Sequence, residues 1–237
     1  KMEGVDLTSI YEEWSELLGN LLEGLTDEDE DGIASCMQML SQMANSPKYR
    51  TIIGTTADNI ILRNLIPMVC KAGENVPWGE TAFQAIFMLT RENEPNACAI
   101  AANPELIPPL LNCLDSEREE LRMLGIVVLW NMSLVWEVVP IMHEHGVTEK
   151  MISFISKAPE DGWGCDSLPQ DYEMALSTVM RLVRRPEIAE HCRYQMNGVE
   201  IINKPLEQRK DVNSLRAAIS LAFMTGRDEG NSLLSNN

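Results

Sequence analysis

Aromatic residues make up only 5% of this 237-residue chain, and its 19 basic residues are outnumbered by 36 acidic ones. Few aromatics and almost no apolar–polar alternation leave little from which to build a sheet, so the chain reads as all-helical. The deficit of positive charge, a net −17, excludes a nucleic-acid partner, because a phosphate backbone is repelled by such a surface. The same field attracts a basic peptide or the basic face of a protein. No apolar run approaches the roughly 18–20 residues that cross a bilayer. The opening KMEGVDLTSIYEEW lacks the basic, apolar and small-residue zones of a signal peptide. A cytoplasmic protein is expected. Met2 follows Lys1, as in a chain trimmed at its start. A lipid anchor on an organelle membrane would then require an acylation signal upstream.

Catalytic constellations are missing as well. There is no G-x-S-x-G, G-x-x-x-x-G-K-S/T, G-x-G-x-x-G or H-E-x-x-H. Only three histidines occur. His143 and His145 alternate on one short helical stretch and point to different sides, so they cannot both grip one metal. His191 reads as a packed or half-exposed position. Cys165, in DGWGCDS, has a neighbouring Trp but no placed base or oxyanion hole. None of the six cysteines forms a C-x-x-C pair. Most lie in apolar helical surroundings, as buried thiols do in a reducing compartment. No enzyme, no cofactor and no metal is expected.

The stretch TDEDEDGIASCMQMLSQM imitates a calcium-binding loop at Asp27, Asp29, Asp31 and Gly32. Its twelfth position, where a bidentate Glu is required, is Gln38. The acidic run is expected instead to open a helix, its carboxylates complementing the positive helix end.

What the chain has in abundance is one helical pattern. Met43, Leu89, Met132, Leu182 and Met224 are equivalent anchors, spaced by 46, 43, 50 and 42 residues. Seven places before each stands a small residue: Cys36, Ala82, Gly125, Ala175 and Ala217. Three places before stands an apolar one: Leu40, Ile86, Leu129, Val179 and Leu221. These offsets share one helical face, and the small residue admits a neighbouring helix. Turns with Gly146 and Gly198, or with prolines, lead each unit into a second apolar stretch. One repeat domain over 1–237 is expected. Residues 1–26 form a helical cap, striped from Leu7 to Leu25, and residues 156–173 form an inserted loop.

The stretch LRMLGIVVLWNMSLVWEVVPIMHEHGVTEKMISFI resembles an armadillo repeat. That family has a long third helix ending in a leucine–x–asparagine–leucine–serine-like motif, carried here by Leu129, Asn131, Met132 and Ser133. A short helix, a glycine (here Gly146) and a second helix follow. HEAT repeats, helix pairs of similar length, are the nearest rival. The resemblance implies a right-handed α–α superhelix, an armadillo-like solenoid, of about five degenerate units.

In this family the residue before the anchor, and the one four earlier, face an inner groove. Here they are Gln38 and Gln42, Gln84 and Met88, Val127 and Asn131, Ser177 and Arg181, then Ile219 and Phe223. The amides, with Arg181, could hold an extended peptide by its main chain. Import receptors of the family repeat Trp and Asn at these places. Only Asn131 keeps the amide, with no Trp four before it, so import cargo is not expected. Trp136 near the ridge is a candidate anchor aromatic. Trp163, in the inserted loop, either anchors a partner or plugs the stack. The resemblance implies a non-catalytic scaffold or adaptor for a protein or extended, basic peptide. Two alternatives stay open. One is an armadillo-repeats-only adaptor, a group that in apicomplexan parasites tethers secretory organelles through an acylated tail and recruits a motor. The other is a regulator of small GTPases.

Overall fold

The computed structural model of the chain describes residues 7–26, 30–55, 58–72, 78–159, 163, 169–208 and 212–235. Among these residues there is helix and turn but no strand, as the shortage of aromatics and of alternation led one to expect. Contacts divide the chain into two compact units, 1–99 and 100–237.

The first unit holds α1 (Leu7–Thr26), α2 (Glu30–Ala44), α3 (Pro47–Thr55), α4 (Ile60–Ala72), α5 (Gly79–Thr90) and most of α6 (Glu94–Ala101). The second begins within α6 and continues through a 3-10 turn (Pro104–Leu106) into α7 (Ile107–Cys113) and α8 (Glu119–Met132). It then runs through α9 (Val139–Glu144), α10 (Val147–Ser156), α11 (Gln170–Leu182), α12 (Pro186–Gln195), α13 (Gly198–Gln208) and α14 (Val212–Ser235). A kink divides α14 at Gly226, whose φ is 78°.

The anchors explain where the long helices stop. Met43, Leu89, Met132 and Leu182 stand at or next to the last residue of α2, α5, α8 and α11, and Met224 stands just before the kink in α14. Punctuation follows each time. Pro47 opens α3, Arg91 turns extended after α5, and an extended Arg185 precedes Pro186 at the start of α12. All the anchors, and all the residues three and seven places before them, are buried except Met43, which is half-buried. The long helices pack on their successors, α2 on α5 in the first unit and α8 on α11 on α14 in the second.

Gly125 shows why a small residue recurs seven places before an anchor. A Cβ there would lie 2.5 Å from the Leu110 carbonyl oxygen and 2.7 Å from Leu114 Cδ1. The backbone of α7 therefore rests directly on α8.

In the first unit, α1 packs on α2 and α4. Leu18, Leu21 and Leu25 of its stripe are buried and Leu17 and Leu22 half-buried. Each buried leucine contributes at most about 1.5–3 kcal/mol. The stripe residues Leu7, Ile10 and Trp14 have side chains outside the described residues. The acidic run does open a helix, with Glu30 and Asp31 in the first turn of α2. Asp31 and Gly32 have regular helical backbone, which cannot wrap an ion as a calcium loop does. Asp27 and Asp29 lie outside the described residues.

The two glycine turns differ. Gly146 supplies the left-handed residue between α9 and α10, at φ +79°. In the equivalent MNG turn Asn197 takes that role, at φ +53°. Gly198 is needed there for closeness instead, since a Cβ on it would lie 2.8 Å from the Cys192 carbonyl oxygen.

Candidate functional site

The expected row differs between the two units. On α2 and α5 its glutamines share one surface. Gln38 and Gln42, one helical turn apart, and Gln84 are all exposed and line a groove of about 760 Å³. Asp31 and Asn45 stand along the same groove, and Trp78, itself buried, is part of its wall. A primary carboxamide offers two N–H donors and an acceptor oxygen, so it can pair with either group of a peptide main chain. Met88, one turn beyond Gln84, is only 9% exposed and serves the core more than the groove.

In the second unit the row is laid out differently. Val127 and Asn131 on α8 are buried, and so is Ser177 on α11. Asn131 is packed into the helix layer rather than presented to solvent. Ser177 and Arg181 do come together, and with a residue outside the expected row, Trp130. The Trp130 indole N–H donates to Ser177 Oγ at 3.1 Å, and an Arg181 guanidinium N–H donates to the same oxygen at 2.8 Å. Arg181 also donates to the Ser177 carbonyl at 3.1 Å, and its guanidinium carbon lies 4.8 Å from the Trp130 ring centre. Such stacking is worth about 0.5–2 kcal/mol. Burial, and then the charges of Arg216 and Arg184, lower the Arg181 pKa from its ordinary value. On α14, Ile219 is half-buried and Phe223 is exposed.

The two tryptophans proposed as anchors part company. Trp136 is 44% exposed, with the Arg185 guanidinium 3.7 Å from its ring centre and donating to its carbonyl at 2.8 Å. Trp163 is 1% exposed. Its ring meets Tyr172 edge-on at 6.4 Å, and Tyr172 in turn stacks on Phe154 at 4.7 Å. Of the two roles left open for Trp163, plug and partner anchor, a buried ring is what a plug requires. Cys165, two residues on, lies outside the described residues.

Three features escaped the sequence. Arg122 and Asp171 form an ion pair at 2.7 Å, with Asp171 wholly buried. Arg50 is buried among carbonyls at the ends of α2 and α5. His143 and His191 meet at 3.1 Å although 48 residues separate them. His145 faces away from that pair and binds the Ile141 carbonyl of its own helix at 2.9 Å, as alternation on α9 requires. Each feature pairs residues about one repeat apart or across a turn, so no local motif announces it. Of the cysteines described, Cys36, Cys113 and Cys192 are buried, Cys70 is half-buried and Cys98 exposed.

No protein-family model matches the sequence, and no curated protein does either. Solved structures do match. A designed armadillo repeat protein in complex with the peptide (KR)4 has a TM-score of 0.72 at 17% identity, over 92% of this chain and 87% of that one. A second designed armadillo repeat protein has a TM-score of 0.71 at 17% identity with the same coverage. The armadillo-repeats-only protein from Plasmodium falciparum has a TM-score of 0.67 at 14% identity, over 95% of this chain and the whole of that one. Together with the five helices closed by equivalent anchors, these likenesses establish the fold: the chain is an all-helical, armadillo-like repeat protein.

Proposed function

We propose that this protein is a non-catalytic interaction scaffold or adaptor that holds an extended, basic segment of a partner. One observation carries the reading. Three exposed carboxamides, Gln38, Gln42 and Gln84, converge on a single groove with Asp31 at its side. Carboxamides pair with a peptide main chain whatever its sequence, while the net −17 charge favours lysine and arginine side chains. That a similar fold has been seen with a (KR)4 peptide supports the same chemistry. No helix among the described residues is long and apolar enough to cross a membrane.

The test is a titration of fluorescein-labelled (KR)4 peptide into the full chain, followed by polarisation. Binding is expected to weaken with salt. It should weaken about tenfold or more when Gln38, Gln42 and Gln84 are all changed to Ala, as loss of several main-chain hydrogen bonds requires. Equal binding by both proteins would remove the groove from the proposal. A second reading, an organelle tether anchored by an acylated tail, is favoured by the end-to-end match to the Plasmodium falciparum structure. It requires a Gly-Cys start in the full-length gene product, and membrane fractionation of that product that is lost when the Cys is replaced.

A further inference from the structure

The meeting of His143 and His191 lies on helices other than the long ones that carry the glutamine groove. His143 is on α9, Glu149 and Thr148 on α10, and His191 on α12. The left-handed Gly146 folds α10 back beneath α9, and α12 packs on α10. The result is a convergence of three potential ligand atoms. His143 Nε2 is 3.1 Å from His191 Nδ1, and a Glu149 carboxylate oxygen is 3.8 Å from that same Nδ1. All three ligand atoms lie within 4.8 Å of one another.

Those separations match chelation. Two nitrogens each about 2.0–2.1 Å from one tetrahedral ion stand about 3.4 Å apart. The other ring nitrogen of His143 is also placed as a ligating imidazole needs. Nδ1 lies 2.9 Å from the hydroxyl of Thr148, which is wholly buried. With Nδ1–H donating to Thr148 Oγ1, Nε2 keeps its lone pair and the ring is locked in orientation. Without metal, His191 Nδ1–H can donate to that lone pair. On metal binding the Nδ1 proton passes to water and His191 Nε2 takes one up, leaving a neutral ring with Nδ1 free to ligate. The His191 and Glu149 side chains are 34% and 45% exposed, so solvent reaches the site and can complete the coordination.

We infer that His143, His191 and Glu149 form a binding site for one divalent transition-metal ion of the zinc class. Two imidazoles and one carboxylate suit zinc, cobalt, nickel or copper and suit magnesium or calcium poorly. The bound ion would clip α12 to the α9–α10 turn, joining consecutive repeats through side chains 48 residues apart.

The experiment uses the full chain without a polyhistidine tag, stripped with EDTA and titrated with cobalt chloride. One equivalent of cobalt is expected to develop saturable visible d–d bands, and zinc chloride to abolish them. His191→Gln and Glu149→Gln, both at partly exposed positions, should lose the bands while keeping the helical circular dichroism. Thr148→Val should weaken binding about tenfold through the freed imidazole. His145→Gln should change nothing. No saturable band, undiminished binding in His191→Gln, or an ultraviolet thiolate-to-cobalt band that disappears with Cys98→Ser would each overturn the site. In the first case the two rings simply share a proton.

Discussion

The two units follow one repeat plan but place different polar side chains at two of its register positions. Seven residues after the anchor the first unit has Arg50 and Asn96, whereas the second has Val139 and Ala189. Arg50 is buried and donates to the Ala44, Asn45 and Arg91 carbonyls at 2.6, 3.3 and 3.0 Å. Asn96 is wholly buried too, and its amide donates to the Arg50 and Leu89 carbonyls at 2.9 and 2.7 Å. The carbonyl ends of α2 and α5, which a helix leaves unpaired, are thus closed by side chains from the next short helix. Eleven residues before the anchor the pattern reverses. Trp78 stands there in α5's unit, while α11 and α14 have Asp171 and Asn213, both wholly buried. Asp171 accepts from Arg122 on α8, and Asn213 donates to Glu173 on α11 at 2.8 Å. These register positions tie successive repeats in both units, and α8 and α11 are joined near their anchors as well, through Trp130 with Ser177 and Arg185 with the Trp136 carbonyl.

The sharpest way to break this comparison is to remove one tie from each unit. Asp171→Ala strands Arg122 next to a void at a buried site, and breaking such a pair costs about 3–5 kcal/mol. Arg122 is 18% exposed, so the lower end of that range is expected. Denaturant unfolding read by hydrogen exchange should show protection falling at the starts of α8 and α11. Arg50→Met keeps the apolar stem and leaves the Ala44 carbonyl buried without its donor, a loss of about 1–3 kcal/mol. Exchange should then rise at the ends of α2 and α5. If either variant loosens the opposite helix ends instead, the assignment of ties to ends is wrong.

A milder pair of substitutions tests the shared position seven before the anchor. Gly125→Ala pushes a methyl into the Leu110 carbonyl and should cost about 1–3 kcal/mol, by overpacking. Ala82→Gly in the first unit empties a wholly buried methyl position near the start of α5 and should cost about 1 kcal/mol, chiefly through helix propensity. The α5 and α8 repeats therefore want different small residues at one register position. Thermal midpoints of the two variants decide it, and equal tolerance of Ala at 125 would contradict the close approach of α7.

Much of this architecture was legible because anchor, small residue and apolar residue share one face at fixed offsets. Fourteen methionines and few aromatics did not obscure it, since burial at those offsets depends on shape and hydrophobicity alone. The groove was only half legible. Gln38, Gln42 and Gln84 are exposed as the register implies, but Val127, Asn131 and Ser177 are buried by neighbours that no residue pattern encodes. Trp163 could not be placed because a loop residue's burial depends on what lies beneath it, here Tyr172 and Phe154. The histidine pair, the Arg122–Asp171 bridge and the Arg50 cap each join side chains on different helices. Pairing of that kind is fixed by how repeats stack, which spacing alone does not give.

The smallest effect concerns thiols, which differ by burial rather than by unit. Cys36 in α2 and Cys192 in α12 are buried, while Cys98 in α6 is exposed. Burial raises the Cys36 thiol from 9.0 to about 11, and burial together with the Glu149 charge raises Cys192 to about 12. Both are held protonated in the fold above the pH at which the unfolded chain would release them. Their contribution to stability is complete below pH 9 and drains away as pH climbs toward 11 for Cys36 and 12 for Cys192. At pH 8, where the thiolate is the reacting species, a chromogenic disulfide should label Cys98 at once. Cys36 and Cys192 should be labelled only as fast as their helices open. Cys192→Ala should flatten the alkaline loss of stability more than Cys36→Ala does. Equal labelling of Cys98 and Cys192 in the native chain would mean that α12 is far less firmly packed than its buried face requires.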